Sequence, residues 1–295
     1  MASILQGMSG GAPALMAFCE VACPKRVKNI DAAKAVAEAL GPQYKHCTAT
    51  EGDQRGITCA AVWNTSQLDE NTAARRLHAV IDDVTGGEYG RPILELQLTA
   101  SGSDRTFTLF VNHWTSRREE NTEGRRTLAG AHLVRLTQRK VVKGGDFTGN
   151  PKALVLAVGD FNDEPYNPSL VDPSGRSSRP LVVRDRTAVL KRRPATLAPV
   201  LYNASWSLLG ERQTRTEEIA AGREKPAGTY LFSEVGKGQW NTFDQVLVSA
   251  GMLEGDPPVF DDGSLAVYCP FELVNTDGVP EMTSDHFPIR FALNL

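Results

Sequence analysis

The stretch ALVLAVGDFNDEP (153–165) decides how the rest of the chain is read. Its first half is an unbroken run of aliphatic residues, the signature of a strand buried on both faces. Its second half sets Asp160, Asn162 and Asp163 around Phe161, where the strand ends. Asp and Asn close strands by bonding their own backbone, so a plain turn is one reading. The other is a carboxylate held rigidly at the mouth of a sheet while still meeting solvent. The sequence on either side decides between them.

Outward from this strand, the pattern repeats. ALMAFCEV (14–21) is a short apolar run leading into Glu20, and ITCAAVWN (57–64) is rich in branched and aromatic residues. PILELQLTA and RTFTLFVNHW read as an antiparallel pair joined by the turn residues SGSD. FDQVLVS (243–249) and HFPIRFALNL (286–295) are further strands, the last placing Phe287, Ile289, Phe291, Leu293 and Leu295 on one side. Two helices stand between. One carries Ile30, Ala33, Ala37 and Leu40 on a single face and stops at Gly41–Pro42. The other spans 124–143, with Ala129, Leu133 and Leu136 facing inward and Arg125, Arg126, Arg135, Arg139, Lys140 and Lys143 outward. Residues 164–228 are rich in Pro, Ser, Gly and Arg and read as a long irregular excursion. Clustered strands with a few helices predict two packed sheets flanked by helices in one domain covering 1–295.

Composition excludes several classes. The chain of 295 residues is 41% hydrophobic and 23% charged, with net charge −3, so no global basic field advertises a polyanion partner. Local basic stretches or a metal must then draw one in. The excursion supplies Arg176, Arg179, Arg184, Arg186, Lys191, Arg192 and Arg193, charge that reads either as a contact for a phosphate backbone or as a disordered, solvated loop. Cysteines at 19, 23, 47, 59 and 269 form no CxxC pair. They read as thiols of a reducing compartment, which predicts a cytoplasmic protein, or a secreted one if the true N-terminus lies upstream; the sequence does not define the oligomeric state, and a monomer is the default expectation. No apolar run approaches the ~20 residues that span a bilayer.

Five strand ends carry unusual polar groups: Glu20, Asn112–His113, Asp160–Asn162, Asp244 and Asp285–His286. Carboxylate oxygens with few nitrogens suit a hard cation, and Mg²⁺ prefers one or two carboxylates completed by water and phosphate oxygens. Zinc wants a tighter His or Cys set. Two histidines beside carboxylates add proton transfer near neutral pH. The constellation predicts metal-assisted hydrolysis of a phosphate ester. His46, His78 and His132 lack such context and read as structural or solvated, and Arg55 as either functional or a loop brace.

GDFNDEP, NHWTSR, TFDQVLVS and TSDHFP resemble, in order, the motifs of the endonuclease/exonuclease/phosphatase superfamily, the deoxyribonuclease I-like enzymes. CEV is similar to its Glu motif, and EGDQRGITCAAVW to its Asp-x-Arg-Gly strand. The resemblance implies an α+β fold, a four-layered α/β/β/α sandwich of two mixed sheets with the site at one end. It implies Glu20 and Asp285 as Mg²⁺ ligands or neighbours, with Mn²⁺ an alternative ion. Asp160 resembles the group that positions or deprotonates water, and Asn162 its partner on the phosphoryl oxygens. His286 resembles the imidazole on the scissile phosphate, Asp244 the acid orienting it, and His113 a second histidine that donates a proton. Members begin with an Asn-bearing strand before the Glu strand, and none precedes ALMAFCEV here. Three functions follow as expectations: a nuclease on DNA or RNA, a phosphoesterase on phospholipid headgroups, inositol phosphates or another small ester, or a binding module without activity.

Overall fold

The computed structural model describes residues 11–26, 31–82, 86–88, 91–118, 121–141, 153–173, 181–191, 200–209, 228–232, 239–268 and 284–295. Three hydrophobic cores separate four layers. Strands β1 (Leu15–Ala22), β2 (Tyr44–Thr48) and β3 (Ile57–Asn64) form a sheet in the order β1-β3-β2. Helix α1 (Ala32–Leu40) covers its outer face by packing Ala33, Ala37 and Leu40 against Ala60 and Val62. Asp31 caps α1 by accepting from Lys34 N at 3.0 Å, and Gly41 at φ 120° ends it, a conformation glycine enters without a Cβ penalty. Ile30 lies outside the described residues.

The second sheet is larger. It contains β4 (Leu68–Glu70), β5 (Arg76–His78), β6 (Ile93–Ala100), β7 (Thr106–His113), β8 (Leu154–Asp160), β9 (Val182–Val183), β10 (Leu201–Asn203) and β13 (Asp244–Val248). Its path runs β4-β6-β7-β8-β13-β10-β9, with β5 beside β6. The two-residue period of a strand sorts its side chains between cores. Leu94, Leu96, Leu98, Phe107, Leu109, Val111, Leu154, Leu156 and Val158 meet Cys59, Ala61 and Trp63 in the core between the sheets. Ile93, Phe110, Val155 and Ala157 face the other way, toward Ala129, Leu133 and Leu136 of helix α2 (Glu123–Val141). Each such buried Val, Leu, Ile or Phe contributes about 1.5–3 kcal/mol, and a one-residue slip would reverse them all.

Strands β11 (Tyr230–Phe232) and β12 (Gln239–Asn241) pair with each other, as do β14 (Val259–Val267) and β15 (Ile289–Asn294). Phe287, Ile289, Phe291 and Leu293 join the inter-sheet core as their alternation predicts, whereas the terminal Leu295 is exposed. Three sequence expectations need correcting. The 164–228 excursion is not irregular throughout: it holds helices α3 (Pro168–Val171) and α4 (Arg186–Leu190), and β10 pairs antiparallel with β13 inside the main sheet. Arg126 does not face solvent, because the first turn of α2 lies against the 162–169 loop and the side chain is buried there beside Asp163. Arg135 is only half-exposed, and the side chains of Arg139, Lys140 and Lys143 lie outside the described residues. The four described cysteines are free thiols. No described helix is long and apolar enough to cross a membrane.

Candidate active site

Register brings the polar strand ends together. In the parallel pair β7–β8, His113 stands opposite Asp160, and in the antiparallel pair β13–β8, Asp244 stands opposite the same Asp160. Three neighbouring strands therefore deliver His113, Asp160 and Asp244 to one edge. The backbones close tightly here. Gly159 has φ 131°, and a Cβ on it would lie 2.0 Å from Asn112 O, so only glycine fits.

The remaining groups arrive from outside this sheet. Glu20 sits where the β1–β3 register shifts between Phe18 and Val21, a bulge that gives it φ 57° and turns its carboxylate toward the site. His286 is held by a bridge to Tyr230, while Thr229 Oγ1 accepts from both Phe243 N and Asp244 N at 3.1 Å. His286 Nδ1 lies 2.7 Å from Asp244 Oδ2, and its Nε2 lies 4.0 Å from Asp160 Oδ2. His113 Nε2 stands 3.5 Å from Asp160 Oδ2 and 3.6 Å from Glu20 Oε1. Glu20, His113, Asp160, His286 and Asp244 thus form one continuous cluster. Asp285 lies at the mouth, 3.3 Å from Arg118 Nη2.

The GDFNDEP stretch is at once a closed turn and part of the cluster. Asp160 Oδ1 accepts from Asn162 N at 2.8 Å, so the turn reading holds, yet the same carboxylate faces the pocket. Asn162, in a left-handed conformation at φ 51°, donates through Nδ2 to Asp160 Oδ2 at 2.8 Å and to Trp114 O at 3.1 Å. Both amide hydrogens are spent, so Asn162 orients Asp160 and has no free donor for a phosphate. A non-glycine residue held at left-handed φ costs about 1–3 kcal/mol and persists only where its surroundings impose it, as these hydrogen bonds do here. Asp163 and Glu164 tie the loop down. Asp163 accepts from Arg117 Nη2 at 2.7 Å and Ser169 Oγ at 2.5 Å, with Arg126 Nε at 2.9 Å. Glu164 accepts from Thr242 N at 3.1 Å.

Burial and charge then set the protonation states. Burial pushes the Asp160 carboxyl up to about 7, with His286 opposing and Asp244 assisting. For His286, burial disfavours the charged ring, but Asp244, by charge and hydrogen bond, together with Asp160 and Asp285 carries it up to about 10. Burial, with the positive charges of Arg91, His286 and Arg55, holds His113 well below the ordinary imidazole range. His113 is therefore neutral while His286 is an imidazolium. Two histidines of one pocket have opposite states because one has a carboxylate at 2.7 Å and the other has none within bonding distance. Among the described residues His113 Nδ1 is buried without a hydrogen-bond partner.

Other sequence expectations fall into place as supports. Asn112 is fully buried and braces the strand end, accepting from Trp114 Nε1 at 3.2 Å. Arg55 stays exposed near Asp53, whose carboxylate also takes Ile57 N and Arg91 Nε at 3.0 Å. His46, His78 and His132 pair with Asp31, Glu95 and Arg135, away from the cluster. Four residues were missed. Arg91 joins Asp53 to Trp114 O at 2.9 Å, Arg117 clamps the loop at Asn162 O and Asp163, and Arg118 bridges Asp285 and Tyr230 Oη, each at 3.3 Å. The double arginine after NHWTS was the available signal for two of them; Arg91 and Tyr230 had none. Of the basic excursion, Arg184, Arg186 and Lys191 are described, and Arg176, Arg179, Arg192 and Arg193 lie outside the described residues.

The donor set fits a hard cation. Glu20 offers a carboxylate whose side chain is 56% exposed, with its His113 neighbour beyond hydrogen-bond reach. Asp285 adds a second at the mouth. Among the described residues no three His, Cys, Asp or Glu side chains gather as a metal-holding group.

A four-layered α+β sandwich with an acid–imidazole cluster at its strand ends is the architecture of the deoxyribonuclease I-like hydrolases. The chain belongs to the endonuclease/exonuclease/phosphatase family, whose model matches residues 1–211, a family of phosphoesterase and nuclease-type hydrolases. No curated protein matches it in sequence. Among solved structures, D. rerio TDP2 complexed with single strand DNA product is similar at TM-score 0.54 and 16% identity, over 96% of this chain and 86% of that one. The human nocturnin catalytic domain with bound sulfate gives 0.52 and 15%, over 95% and 82%. The mannosyl-6-phosphatase Bt3783 of Bacteroides thetaiotaomicron gives 0.53 and 14%, over 96% and 85%.

Proposed function

We propose that this chain is a Mg²⁺-dependent phosphodiesterase that cleaves nucleic acid by in-line attack of water. One observation carries the reading: Asp160 stands at the centre of the cluster, facing His113 and Asp244 in register with His286 Nε2 4.0 Å away. A phosphodiester repels nucleophiles by its own charge, and the transition state gathers more. The His286 imidazolium, kept charged by Asp244, offsets that charge where it grows. Asp160, with a pKa near neutrality, is suited to accept the proton of the attacking water, and Asn162 fixes which oxygen faces it. His113, neutral, serves as a hydrogen-bond donor rather than a strong acid. Glu20 and Asp285 would hold the cation, which when bound neutralises phosphoryl charge and orients the ester. The DNA product named for the TDP2 structure supports nucleic acid as the substrate class.

The test is incubation with supercoiled plasmid and with single-stranded oligonucleotide in Mg²⁺, against the same mixtures in chelator. Mg²⁺-dependent strand cleavage is expected. Turnover of inositol phosphates or phospholipid headgroups with intact nucleic acid would move the reading to a small-ester phosphoesterase. No turnover of any ester would leave a binding module.

A further inference from the structure

A run of rings and guanidinium groups leads away from the catalytic cluster. It starts at His286, whose ring lies 4.7 Å from that of Tyr230. Tyr230 stacks on Phe243 with centroids 5.4 Å apart and an interplanar angle of 21°. The Arg117 guanidinium lies 4.9 Å from the Phe243 centroid and donates to Asn167 Oδ1 at 2.7 Å. Asn167 is the chain neighbour of Tyr166. Tyr166 in turn meets Trp206 edge to face, centroids 6.3 Å apart at 61°, and the Arg184 guanidinium lies 5.5 Å from the Trp206 centroid.

Tyr230 and Phe243 are buried, so the inner part of this run is structural. The outer end is not. Among the described residues three large apolar side chains are exposed, Ile81, Tyr166 and Leu295, and Tyr166, at 56%, is the aromatic one. It follows directly on the catalytic loop, six positions after Asp160. An exposed ring steadied by a second ring, which itself lies against an exposed guanidinium, is an arrangement suited to receive nucleobases. Every base has a π-face, and a neighbouring cation takes the phosphate that follows. In a duplex those faces are already stacked on their neighbours, so the chemistry selects unpaired bases.

We propose that Tyr166, Trp206 and Arg184 form a stacking platform for an unpaired nucleobase of a single-stranded nucleic acid whose phosphate lies in the pocket. The proposal rests on the reading of that pocket as a nucleic-acid phosphodiesterase and names its preferred substrate form. The platform carries no hydrogen-bond pattern specific to one base, so it tolerates any sequence.

Fluorescence anisotropy in chelator, where cleavage is absent, tests it with a labelled oligothymidylate and an abasic oligonucleotide of equal length. Tyr166→Ala is expected to weaken oligothymidylate binding about 5- to 150-fold, the effect of losing one stacked base. Tyr166→Phe should stay within about twofold, because the ring does the stacking. The abasic strand should bind the unmodified protein more weakly and be insensitive to Tyr166→Ala. Equal losses on both strands, or unchanged oligothymidylate binding by a folded Tyr166→Ala variant, would overturn the platform. The pocket reading is scored separately, by turnover of bis(p-nitrophenyl) phosphate by the unmodified protein with Mg²⁺. Base-dependent binding without turnover would keep the platform and remove the hydrolytic assignment.

Discussion

Asp244→Asn isolates the charge that the pocket places on His286. The asparagine keeps an oxygen to accept from Nδ1, so the ring stays in position, but the carboxylate 2.7 Å away is gone. With its pKa at about 10, His286 is almost wholly protonated at pH 8. Returned to about 6.5, it would be only about 3% protonated there, a loss of about 30-fold in the imidazolium form. At pH 6 the same change costs less than about twofold. Diester hydrolysis measured from pH 6 to 9 should therefore diverge from that of the unmodified protein as pH rises, by about 30-fold at pH 8. Stability follows the same sign. A raised imidazole pKa stabilises the fold fully below about 6.5, and that stabilisation is lost as pH rises through about 10. Thermal melting of the unmodified protein in chelator should accordingly fall between pH 7 and 10, and Asp244→Asn should flatten that slope. A rate loss of equal size at pH 6 and pH 8 would mean that Asp244 acts through packing alone and not through the charge on His286.

Asp160→Asn should lower turnover by at least ~10²-fold, with a melting temperature close to that of the unmodified protein, since burial already holds the carboxyl near half-protonation at neutral pH. Gly159→Ala should fail to fold or melt far earlier, because its new carbon meets Asn112 O at 2.0 Å; circular dichroism reads this. Arg126→Ala strips one cation from the buried Asp163 carboxylate and should cost about 3 kcal/mol in denaturant unfolding. Lys25→Ala, at an exposed pair with Glu51, should be indistinguishable from the unmodified protein in the same measurement.

What was legible in the sequence was the rigid part. Runs such as LVLAV and TLFVN announce buried strands because period-two packing leaves little choice of residue, and a polar group that ends such a run is held where the strand ends. That is why Asp160, His113 and Asp244 could be named before their register was known. The excursion was misread because β9 has two residues and β10 three, too few to show a period, and β10 gains its place from pairing with β13. Arg126 was misread because helical spacing alone cannot tell a solvent face from one covered by a distant loop. Arg117 and Arg118 lie on irregular backbone, where only tertiary structure shows which carboxylates an arginine reaches.

The most direct test of the account is cleavage of an end-labelled oligonucleotide in Mg²⁺ by the unmodified protein beside Asp160→Asn and His286→Ala, all three shown to be folded. Mg²⁺-dependent product is expected from the first and at least ~10²-fold less from each variant. Product formed at equal rates by all three would contradict it.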